Sequence, residues 1–376
     1  MDNSISSLEG LVILKYQQVM LDQYFWAGKR VFLSGHTGFK GSWLALWLEM
    51  LGAEVTGYAL EPLTPRDNFL LSKIGARIRH EIGDVRDYEK LKRVFDEARP
   101  EIVFHLAAQP LVRESYRSPK ETYDVNVGGT VNILECSRLS STVKAVVNVT
   151  TDKCYENNEW VWGYRENDRL GGVDPYSSSK ACSELVTDAY RKSFFSPEEY
   201  SKHGISLASA RAGNVFGGGD WQVDRIIPDC IRHLEEGKPI IVRNPHSIRP
   251  WQHVLEPLSG YLLLAEKLYK EPLAYSSAWN FGPEDSSFLK VGELVDEVVK
   301  SWGNGKWEDH SEPGAVHEAH LLKLDITKAK ALLGWFPVWH IEDAVDQTVK
   351  WYRHYYRTSN VSELCCQQIS DYMKSV

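Results

Sequence analysis

The chain has 376 residues, of which 43% are hydrophobic and 25% charged, and its 43 Lys and Arg against 51 Asp and Glu give a net charge of −8. This composition excludes a disordered chain, and the length predicts about two domains around a sizeable core. No run of about 18 uncharged apolar residues indicates a membrane span, and no basic block indicates a nucleic-acid partner.

The N-terminus and the cysteines indicate where the protein works. Residues 1–23 are predicted to be an N-terminal extension, because the first strand signal begins only near Lys29. The short apolar run before it lacks the basic and small-residue flanks of a secretory signal. The six cysteines are scattered, without paired or metal-ligand spacing. We therefore expect a reduced, cytoplasmic protein with no metal site.

The first half of the chain alternates strand and helix patterns. An apolar strand at 30–34 is followed by a glycine-rich turn, a helix that ends before Gly52 and a second strand at 54–59. Further strands are predicted at 78–82, 102–105, 144–149 and 205–210, and further helices at 88–98, from Pro119 towards Leu139 and from Pro175 to about Phe195. This alternation predicts an α/β fold with a doubly wound parallel sheet of the Rossmann type over residues 24–210.

The pattern changes in the second half of the chain. Turn signals become denser after about residue 211, and the helices there are shorter and the strands isolated. We therefore predict a second, smaller mixed α/β domain over residues 211–360, with some of its segments expected to return to the first domain. Residues 361–376 are predicted to be a C-terminal tail.

The glycine turn between the first strand and the first helix is typical of a dinucleotide site. Gly35 would permit the tight turn, Gly38 would let the backbone approach a pyrophosphate, and Gly41 would let the helix pack close to the strand. The anion would then lie at the helix N-terminus. The alternative, a turn that binds nothing, is less favoured because this turn lies in the first βαβ unit.

The end of the second strand lacks the acidic residue that usually reads the adenosine ribose. By register this position falls at Tyr58, and the nearest acid is Glu61. No Arg stands at or beside Tyr58 to accept a 2′-phosphate, which favours NAD over NADP. Asp84, after the third strand, either reads the adenine edge or is an ordinary helix N-cap, and the sequence does not separate these interpretations.

A Tyr and a Lys four residues apart share one helix face, where the ammonium would lower the pKa of the phenol so that it acts as a base. The sequence contains three such pairs, so spacing alone is weak evidence: Tyr88 with Lys92, Tyr116 with Lys120, and Tyr176 with Lys180. Position favours the third pair, because its helix follows a strand that ends in Thr150-Thr151-Asp152-Lys153, at the strand ends where doubly wound folds bind ligands.

Several motifs in order carry a family resemblance: Gly35-x-x-Gly38-Phe-x-Gly41, His105-Leu-Ala-Ala-Gln109, Asn126-Val-x-Gly-Thr130, Thr151-Asp152-Lys153, Tyr176-x-x-x-Lys180 and Arg211-x-x-Asn214-Val215. Over about residues 24–357 the chain resembles the extended short-chain dehydrogenase/reductases of the sugar-nucleotide branch. Within that branch, Thr-Asp-Lys-Cys-Tyr-Glu-Asn and Ile-Arg-Pro-Trp-Gln-His-Val look like the CDP-glucose 4,6-dehydratases.

The resemblance implies a redox-neutral conversion of CDP-D-glucose to CDP-4-keto-6-deoxy-D-glucose with NAD. Tyr176, held by Lys180, would take the C4 hydroxyl proton, and Thr151 would hydrogen-bond the same hydroxyl. Asp152 would be the acid for the departing C6 hydroxyl. Lys153 stands where the related dTDP-glucose dehydratases have a Glu as the C5 base. It is therefore either an uncharged base or a cation that stabilises the enolate or pairs with a carboxylate.

The resemblance also assigns the remaining contacts. The cofactor would be held by the turn, the second and third strand ends and the loop after the fourth strand: Gly35, Thr37, Gly38, Phe39, Lys40, Gly41, Tyr58, Asp84, Val85, Leu106, Ala107, Ala108, Gln109, Asn126, Tyr176 and Lys180. The substrate would be held by Gln109, Ser115, Asn214, Arg225, Arg249, Asn280 and His320, each of which has an alternative as a surface, turn or core residue.

The resemblance further implies a homodimer or a dimer of dimers that pairs the helices beginning at Pro119 and Tyr176. The apolar faces of these helices could equally belong to the core of one subunit, and the sequence does not separate the two. Two rival functions stay open. An NAD-dependent sugar-nucleotide 4-epimerase shares the Tyr–Lys pair but does not need Asp152 or Lys153. A non-catalytic NAD-binding regulatory protein could use the same fold.

Overall fold

A seven-stranded parallel sheet forms the centre of the computed structural model, which describes residues 18–311 and 321–376. The strands are β1 (Arg30–Ser34), β2 (Glu54–Ala59), β3 (Arg79–Ile82), β4 (Ile102–His105), β5 (Ala145–Val149), β6 (Ser206–Ala212), β7 (Val215–Phe216), β8 (Ile240–Val242), β9 (Ile248–Pro250), β10 (Gln252–His253), β11 (Ala278–Phe281), β12 (Phe288–Lys290) and β13 (Trp307–Asp309). The sheet order is β11-β6-β5-β4-β1-β2-β3, and the six remaining strands form three separate pairs.

Helices pack on the central sheet and also form much of the second half of the chain. They are α1 (Phe39–Met50), α2 (Asn68–Leu71), α3 (Tyr88–Ala98), α4 (Val112–Arg117), α5 (Pro119–Tyr123), α6 (Gly129–Arg138), α7 (Pro175–Ser193), α8 (Tyr200–His203), α9 (Ile226–Glu235), α10 (Leu255–Lys270), α11 (Pro272–Tyr275), α12 (Val291–Trp302), α13 (Ile341–Thr358) and α14 (Ser362–Ser375). A π-helical turn at Asp124–Gly128 joins α5 to α6. In the described part of the chain no helix has the length and apolar character to cross a membrane.

The predicted α/β fold is confirmed. β1, β2 and β4 have the bounds that the apolar patterns predict, and α3 does as well. The helix α7 begins at Pro175 because Asp174 accepts a hydrogen bond from the backbone N–H of Ser177, which is an N-cap followed by proline at the first helical position. The segment β11, from the second half of the chain, joins the central sheet beside β6.

The sheet order places a crevice at the carboxyl ends of β1 and β4. These strands are neighbours, and the chain runs outwards from β1 to β2 and β3 on one side and from β4 to β5 and β6 on the other. This reversal is the topological switch point where open α/β sheets bind ligands. The residues that end β1, β4 and β5 are Ser34, His105 and Val149, so the segments that follow them meet at one edge.

The segment that the sequence sets apart as a tail forms the helix α14, which packs on α1. Ile369 and Tyr372 are fully buried, and the indole Nε1 of Trp47 on α1 contacts the Met373 sulfur at 3.3 Å. The Tyr372 hydroxyl donates to Oε2 of the buried Glu256 at 2.7 Å. This helix is therefore part of the hydrophobic core.

Substitution of Ile369 tests this role of α14. We expect Ile369→Ala to lower the free energy of unfolding by about 2–5 kcal/mol, because it leaves a cavity in a site with no exposed surface. The matched control is Gln367→Ala, an exposed position on the same helix. Chemical denaturation of both variants measures the difference, and equal stability of the two would contradict the packing role.

Candidate active site

The glycine turn after β1 fits the pyrophosphate of a dinucleotide. Gly35 has φ +80°, and a Cβ there would lie 2.7 Å from the backbone N of Ala107. A Cβ on Gly41 would lie 2.0 Å from the Gly35 carbonyl oxygen. Gly38 is exposed, and a Cβ there would meet only the Gly35 oxygen, at 3.4 Å. The turn therefore closes tightly on itself but stays open at Gly38, ahead of the first N–H groups of α1.

Three side chains of the turn have distinct surroundings. The Thr37 hydroxyl donates to the Leu60 carbonyl at 2.9 Å and so joins the turn to the chain after β2. The Phe39 ring lies against the backbone at Gly217. Lys40 interacts electrostatically with Asp152, and burial lowers the pKa of its ammonium to about 8. Lys40 therefore belongs to the catalytic side of the turn as well as to the cofactor side.

The structure corrects the expectation for Tyr58. Its ring is fully buried beneath Gly83, and its hydroxyl donates to the Asp84 carbonyl at 3.1 Å. The side chain is therefore a core residue that cannot read a ribose. The N-cap interpretation of Asp84 is also wrong, since Asp87 caps α3. Arg86 holds the Asp84 carboxylate through contacts of 2.6 and 3.0 Å and lowers its pKa.

The loop after β4 is tied to the catalytic helix. The backbone N–H of Gln109 donates to Oδ1 of Asn126 at 2.8 Å, and Nδ2 of Asn126 donates to the Ser179 hydroxyl on α7 at 2.8 Å. The Gln109 amide itself bonds the Leu111 backbone and Thr122. Both amides are thus hydrogen-bonded within the protein and position the loop, and their contacts to ligands stay predictions.

The rest of this loop closes on the glycine turn. The backbone N–H groups of Leu106 and Ala107 donate to the Ser34 hydroxyl at 3.1 and 3.3 Å. Ala108 follows them in the same loop, and Val85 is buried against Gly129. The segments after β1 and β4 therefore form one continuous wall, and its contact with a cofactor stays a prediction.

The segment after β5 places the Asp152 carboxylate in hydrogen-bonding contact with Thr151. Thr151 caps the short helical turn Asp152–Cys154, and its hydroxyl donates to Oδ1 of Asp152 at 2.9 Å. The backbone N–H of Lys153 donates to the Thr151 oxygen at 3.3 Å. Asp152 is only 1% exposed. Within the described residues no carboxylate pairs with the Lys153 ammonium, which argues against the ion-pair interpretation of this lysine.

Helix α7 brings Tyr176 and Lys180 to the same place. The Thr151 side chain lowers the pKa of the Tyr176 phenol and the Asp152 carboxylate raises it, so both groups lie near that phenol. Lys180 is buried, and its Nζ donates to the Val149 carbonyl at the end of β5, at 3.3 Å. The structure thus assembles the five predicted catalytic residues around the end of one strand.

The prediction that the pKa of Tyr176 is lowered is wrong in this structure. Burial raises the pKa of Tyr176 to about 12, although the Thr151 side chain and the nearby Arg225 guanidinium both lower it. The Lys180 ammonium donates to the Val149 carbonyl at 3.3 Å. Burial also lowers the pKa of Lys180 to about 8, against the opposing charge of Glu184.

Sequence reasoning missed Glu184, one helical turn after Lys180. Its carboxylate accepts hydrogen bonds from Thr150 and from Ser209 and pairs with Arg211 at 2.7 Å, and all of these groups are buried. The i, i+4 spacing from Lys180 was the available signal, since it places Glu184 on the same helix face. This pair fixes α7 against the ends of β5 and β6.

Of the residues predicted to bind the substrate, Arg225 lies near the catalytic residues. Arg225 interacts with the Tyr176 phenol and forms an ion pair with the buried Asp220 at 2.7 Å. Asn214 has φ +38°, an unusual conformation that turns the chain at the end of β6. Arg249 lies on β9, opposite Leu289 of β12. Arg225 thus lies beside the catalytic group, as a contact to the substrate requires.

Two expected substrate contacts are wrong. Ser115 is fully buried, and its hydroxyl donates to the Val112 carbonyl one turn earlier at 2.7 Å. Asn280 is fully buried as well, and its amide bonds the Tyr155 hydroxyl and two backbone carbonyls. Neither side chain has surface left for a ligand. His320 lies outside the described residues.

The fold and the placement of Tyr176 and Lys180 define an extended short-chain dehydrogenase/reductase. The sequence model of the GDP-mannose 4,6 dehydratase family matches residues 32–348, and the chain belongs to this family. It is 53% identical over 359 residues to CDP-glucose 4,6-dehydratase of Salmonella typhimurium, which spans 95% of this chain and 99% of that protein. The dTDP-glucose 4,6-dehydratase of the same organism is 24% identical over 86% of the chain and 92% of its own length.

Solved structures have the same fold. UDP-glucose 4-epimerase from Thermotoga maritima with UDP-glucose superposes with a TM-score of 0.74 at 24% identity, covering 87% of this chain and 99% of that one. The dTDP-glucose 4,6-dehydratase from Bacillus anthracis in complex with NAD gives a TM-score of 0.72 at 21% identity, covering 87% and 97%.

The pKa of Lys180 predicts an alkaline limit to activity. Because burial lowers this pKa to about 8, kcat/KM should fall as the pH rises through about 8 and the ammonium loses its proton. In Lys180→Arg the residual activity should keep no such limb below about pH 10, since a guanidinium stays protonated. Lys192→Arg, at an exposed position on α7, is the control and should retain the wild-type profile. An unchanged limb in Lys180→Arg would assign it to another group.

Proposed function

We propose that the protein is a lyase that converts CDP-D-glucose to CDP-4-keto-6-deoxy-D-glucose and water, with NAD as a recycled cofactor. The observation that carries the proposal is the group of Thr151, Asp152 and Tyr176, in which a buried acid lies beside the half-buried base. Oxidation at C4 alone would need only the tyrosine and its lysine. A buried carboxyl that hydrogen-bonds the same threonine supplies the acid for elimination. The 53% identity to a CDP-glucose 4,6-dehydratase supports the choice of nucleotide.

The cofactor assignment is supported by the turn at Gly35–Gly41 and by the wall from Leu106 to Ala108. NAD, when bound there, supplies the acceptor that takes a hydride from C4 and returns it to C6. The end of β2 offers no side chain to a 2′-phosphate, because Tyr58 is buried and Ala59 follows it. This supports NAD over NADP.

The first step belongs to Tyr176, which accepts the proton of the C4 hydroxyl. The Thr151 side chain and the Arg225 guanidinium lie near its phenol, and both favour the phenolate. The protonated Lys180 beneath the site fixes the helix to the end of β5. These groups orient the phenolate oxygen towards the sugar.

The elimination belongs to Asp152 and Lys153. Once C4 is a ketone, the C5 proton is acidic, and Asp152 protonates the departing C6 hydroxyl. Lys153 acts on C5, either as the base or as the cation that stabilises the enolate. The absence of a carboxylate partner in the described residues leaves its ammonium available for this task.

The diphosphate would be held by placed cations and amides, not by net charge, since the chain carries −8 overall. Arg225 is held beside Tyr176 by Asp220, and Asn214 and Arg249 lie after β6 and on β9. A guanidinium that binds a diphosphate through two N–H groups gives orientation as well as affinity.

We also propose a homo-oligomer and a cytoplasmic location. The oligomer is supported by apolar side chains exposed on the helical layer of α4, α5 and α7, namely Tyr116, Tyr123 and Leu185. The location is supported by the six cysteines, all of which are free.

A product assay tests the proposed function. Incubation with CDP-glucose and NAD should give the ultraviolet chromophore that 4-keto sugars develop in alkali, and a parallel incubation without NAD shows whether the cofactor is retained. A 4-epimerase would give CDP-galactose without the chromophore, and a regulatory protein would leave the substrate unchanged. Product from dTDP-glucose but not from CDP-glucose would contradict the nucleotide assignment.

Two variants separate the roles of Lys153. Lys153→Met should bind NAD normally but lose incorporation of solvent deuterium at C5, which NMR of the product measures. Lys153→Arg keeps the charge but cannot serve as a base, because a guanidinium does not lose its proton at neutral pH. Recovery of exchange in the arginine variant identifies electrostatic stabilisation, and its absence identifies a base. Wild-type exchange in Lys153→Met would remove this residue from the C5 chemistry.

A further inference from the structure

The two oxygens of the Asp152 carboxylate are held in different ways. Oδ1 accepts a hydrogen bond from the Thr151 hydroxyl at 2.9 Å, whereas Oδ2 is buried and has no hydrogen-bond partner in the described residues. Buried polar atoms of native proteins almost always have a partner. The proposed reaction supplies one for Oδ2, because the C6 hydroxyl of the substrate takes the proton of the acid. The position of Oδ2 before the reaction is therefore set by packing and not by a hydrogen bond.

The backbone at Gly213, directly after β6, provides this packing. A Cβ on Gly213 would lie 1.9 Å from Oδ2 of Asp152 and 2.3 Å from its carboxyl carbon, so the main chain here is in direct contact with the carboxylate. The chain has just left the central sheet, since Ala212 is the last residue of β6 that pairs with β11. Any shift of the backbone at Gly213 would therefore shift the acid.

The side-chain amide of Gln252, on β10, fixes this backbone. Its Nε2 donates to the Gly213 carbonyl and to the Phe281 carbonyl, each at 3.1 Å. Its backbone N–H donates to the Asn214 carbonyl at 3.3 Å. Gln252 is only 3% exposed, and Phe281 is the last residue of β11. One buried amide thus bonds two carbonyls at the point where the pairing of β6 with β11 stops.

The two carbonyls also determine the orientation of the Gln252 amide. Its Oε1 is buried and has no hydrogen-bond partner in the part of the chain that the structure describes. Rotation of the amide by half a turn would bring Oε1 against the two carbonyl oxygens, and three acceptors would then face one another without a donor. Only the N–H side of an amide fits here. A side chain of similar length without N–H donors, such as methionine, cannot replace it.

We propose that Gln252 is a positioning residue for the dehydration, which holds Oδ2 of Asp152 in place through the backbone at Gly213; this inference rests on the proposed function. In the step concerned, the C5–H and C6–O bonds break, and the departing hydroxide leaves as water with the proton of Asp152. Gln252 acts on this step alone. Oxidation at C4 depends on Tyr176, which lies on another element, and proceeds without the Gln252 amide.

The test uses a leaving group that needs no acid. Fluoride departs from CDP-6-deoxy-6-fluoro-D-glucose without a proton, whereas the hydroxide of CDP-glucose requires one. In Gln252→Met we expect kcat with CDP-glucose to fall about 10-fold to 100-fold while KM stays within about twofold, because a displaced acid loses part of its contribution. The rate of fluoride release from the analogue should stay within about threefold of the wild-type rate.

Gly213→Ala displaces the acid by an independent route, through the added Cβ, and keeps the test decisive if Gln252→Met does not fold. It should give the same loss with CDP-glucose and the same retention of fluoride release. Equal losses with both substrates would overturn the proposal, since a fault in binding or in C4 oxidation slows both. A selective loss in Gly213→Ala together with wild-type rates in Gln252→Met would also overturn it.

Gln368 on α14 supplies a matched control for stability. It is 1% exposed, and its Nε2 donates to the Gln347 carbonyl at 2.7 Å and to the Gln347 side-chain oxygen at 3.0 Å. Gln368→Met should lose as much stability in chemical denaturation as Gln252→Met but keep the wild-type kcat with both substrates. A selective loss with CDP-glucose in this control would overturn the assignment to Gln252. Absence of the 4-keto product from wild type would instead refute the proposed function.

Discussion

The buried ion pair between Glu184 and Arg211 is the interaction on which the site depends. The two side chains are 2% and 4% exposed and lie 2.7 Å apart. Removing one partner of such a pair is strongly destabilising, because the other charge is left buried without compensation. Here the Glu184 carboxylate also accepts bonds from Thr150 and Ser209, so the pair joins the ends of two strands to the catalytic helix. Moving α7 away from β5 or β6 would break this ion pair and leave a buried charge without its partner.

The consequence is a fixed distance between groups that come from distant parts of the sequence. Lys180 lies one turn before Glu184 and binds the end of β5, while Thr150 directly precedes Thr151. Farther along α7, Ser183 and Thr187 accept hydrogen bonds from the Asn148 amide of β5 at 3.0 and 2.7 Å. A helix with this many polar contacts to a strand has one register on the sheet. Tyr176 and Thr151 therefore meet without a flexible loop between them.

The sequence predicts elements well because their signals are local. Strand β1, the turn at Gly35–Gly41 and the Pro175 start of α7 follow from apolar spacing, glycine position and capping, and each was confirmed. The sequence predicts less well whether a side chain faces the site or the interior of the protein. Ser115 and Asn280 lie in elements near the site, yet they point into the protein, because spacing along a chain does not determine which neighbour saturates a hydrogen bond.

The errors share a physical cause, which is that burial acts in three dimensions. The Tyr–Lys spacing predicts a lowered tyrosine pKa, but desolvation raises it, and the lysine ammonium donates to the Val149 carbonyl. Likewise Glu184 stood in the sequence at the right spacing, but its importance depends on Arg211, 27 residues later and on another strand. A motif identifies the chemistry, whereas the folded environment sets its protonation.

The short segment from Arg211 to Asn214 shows how closely fold and chemistry are combined. Arg211 closes the buried pair, and two residues later Gly213 has no side chain at the point where a Cβ would lie 1.9 Å from Oδ2 of Asp152. Asn214 then takes φ +38° and turns the chain away from β6. Any larger residue at 213 would displace the acid, even though position 213 contacts no substrate in the proposed reaction. The acid is thus positioned by the absence of a side chain at Gly213, directly after β6, and by the Thr151 hydroxyl, two residues after β5. The register of β5 against β6 couples the two positions.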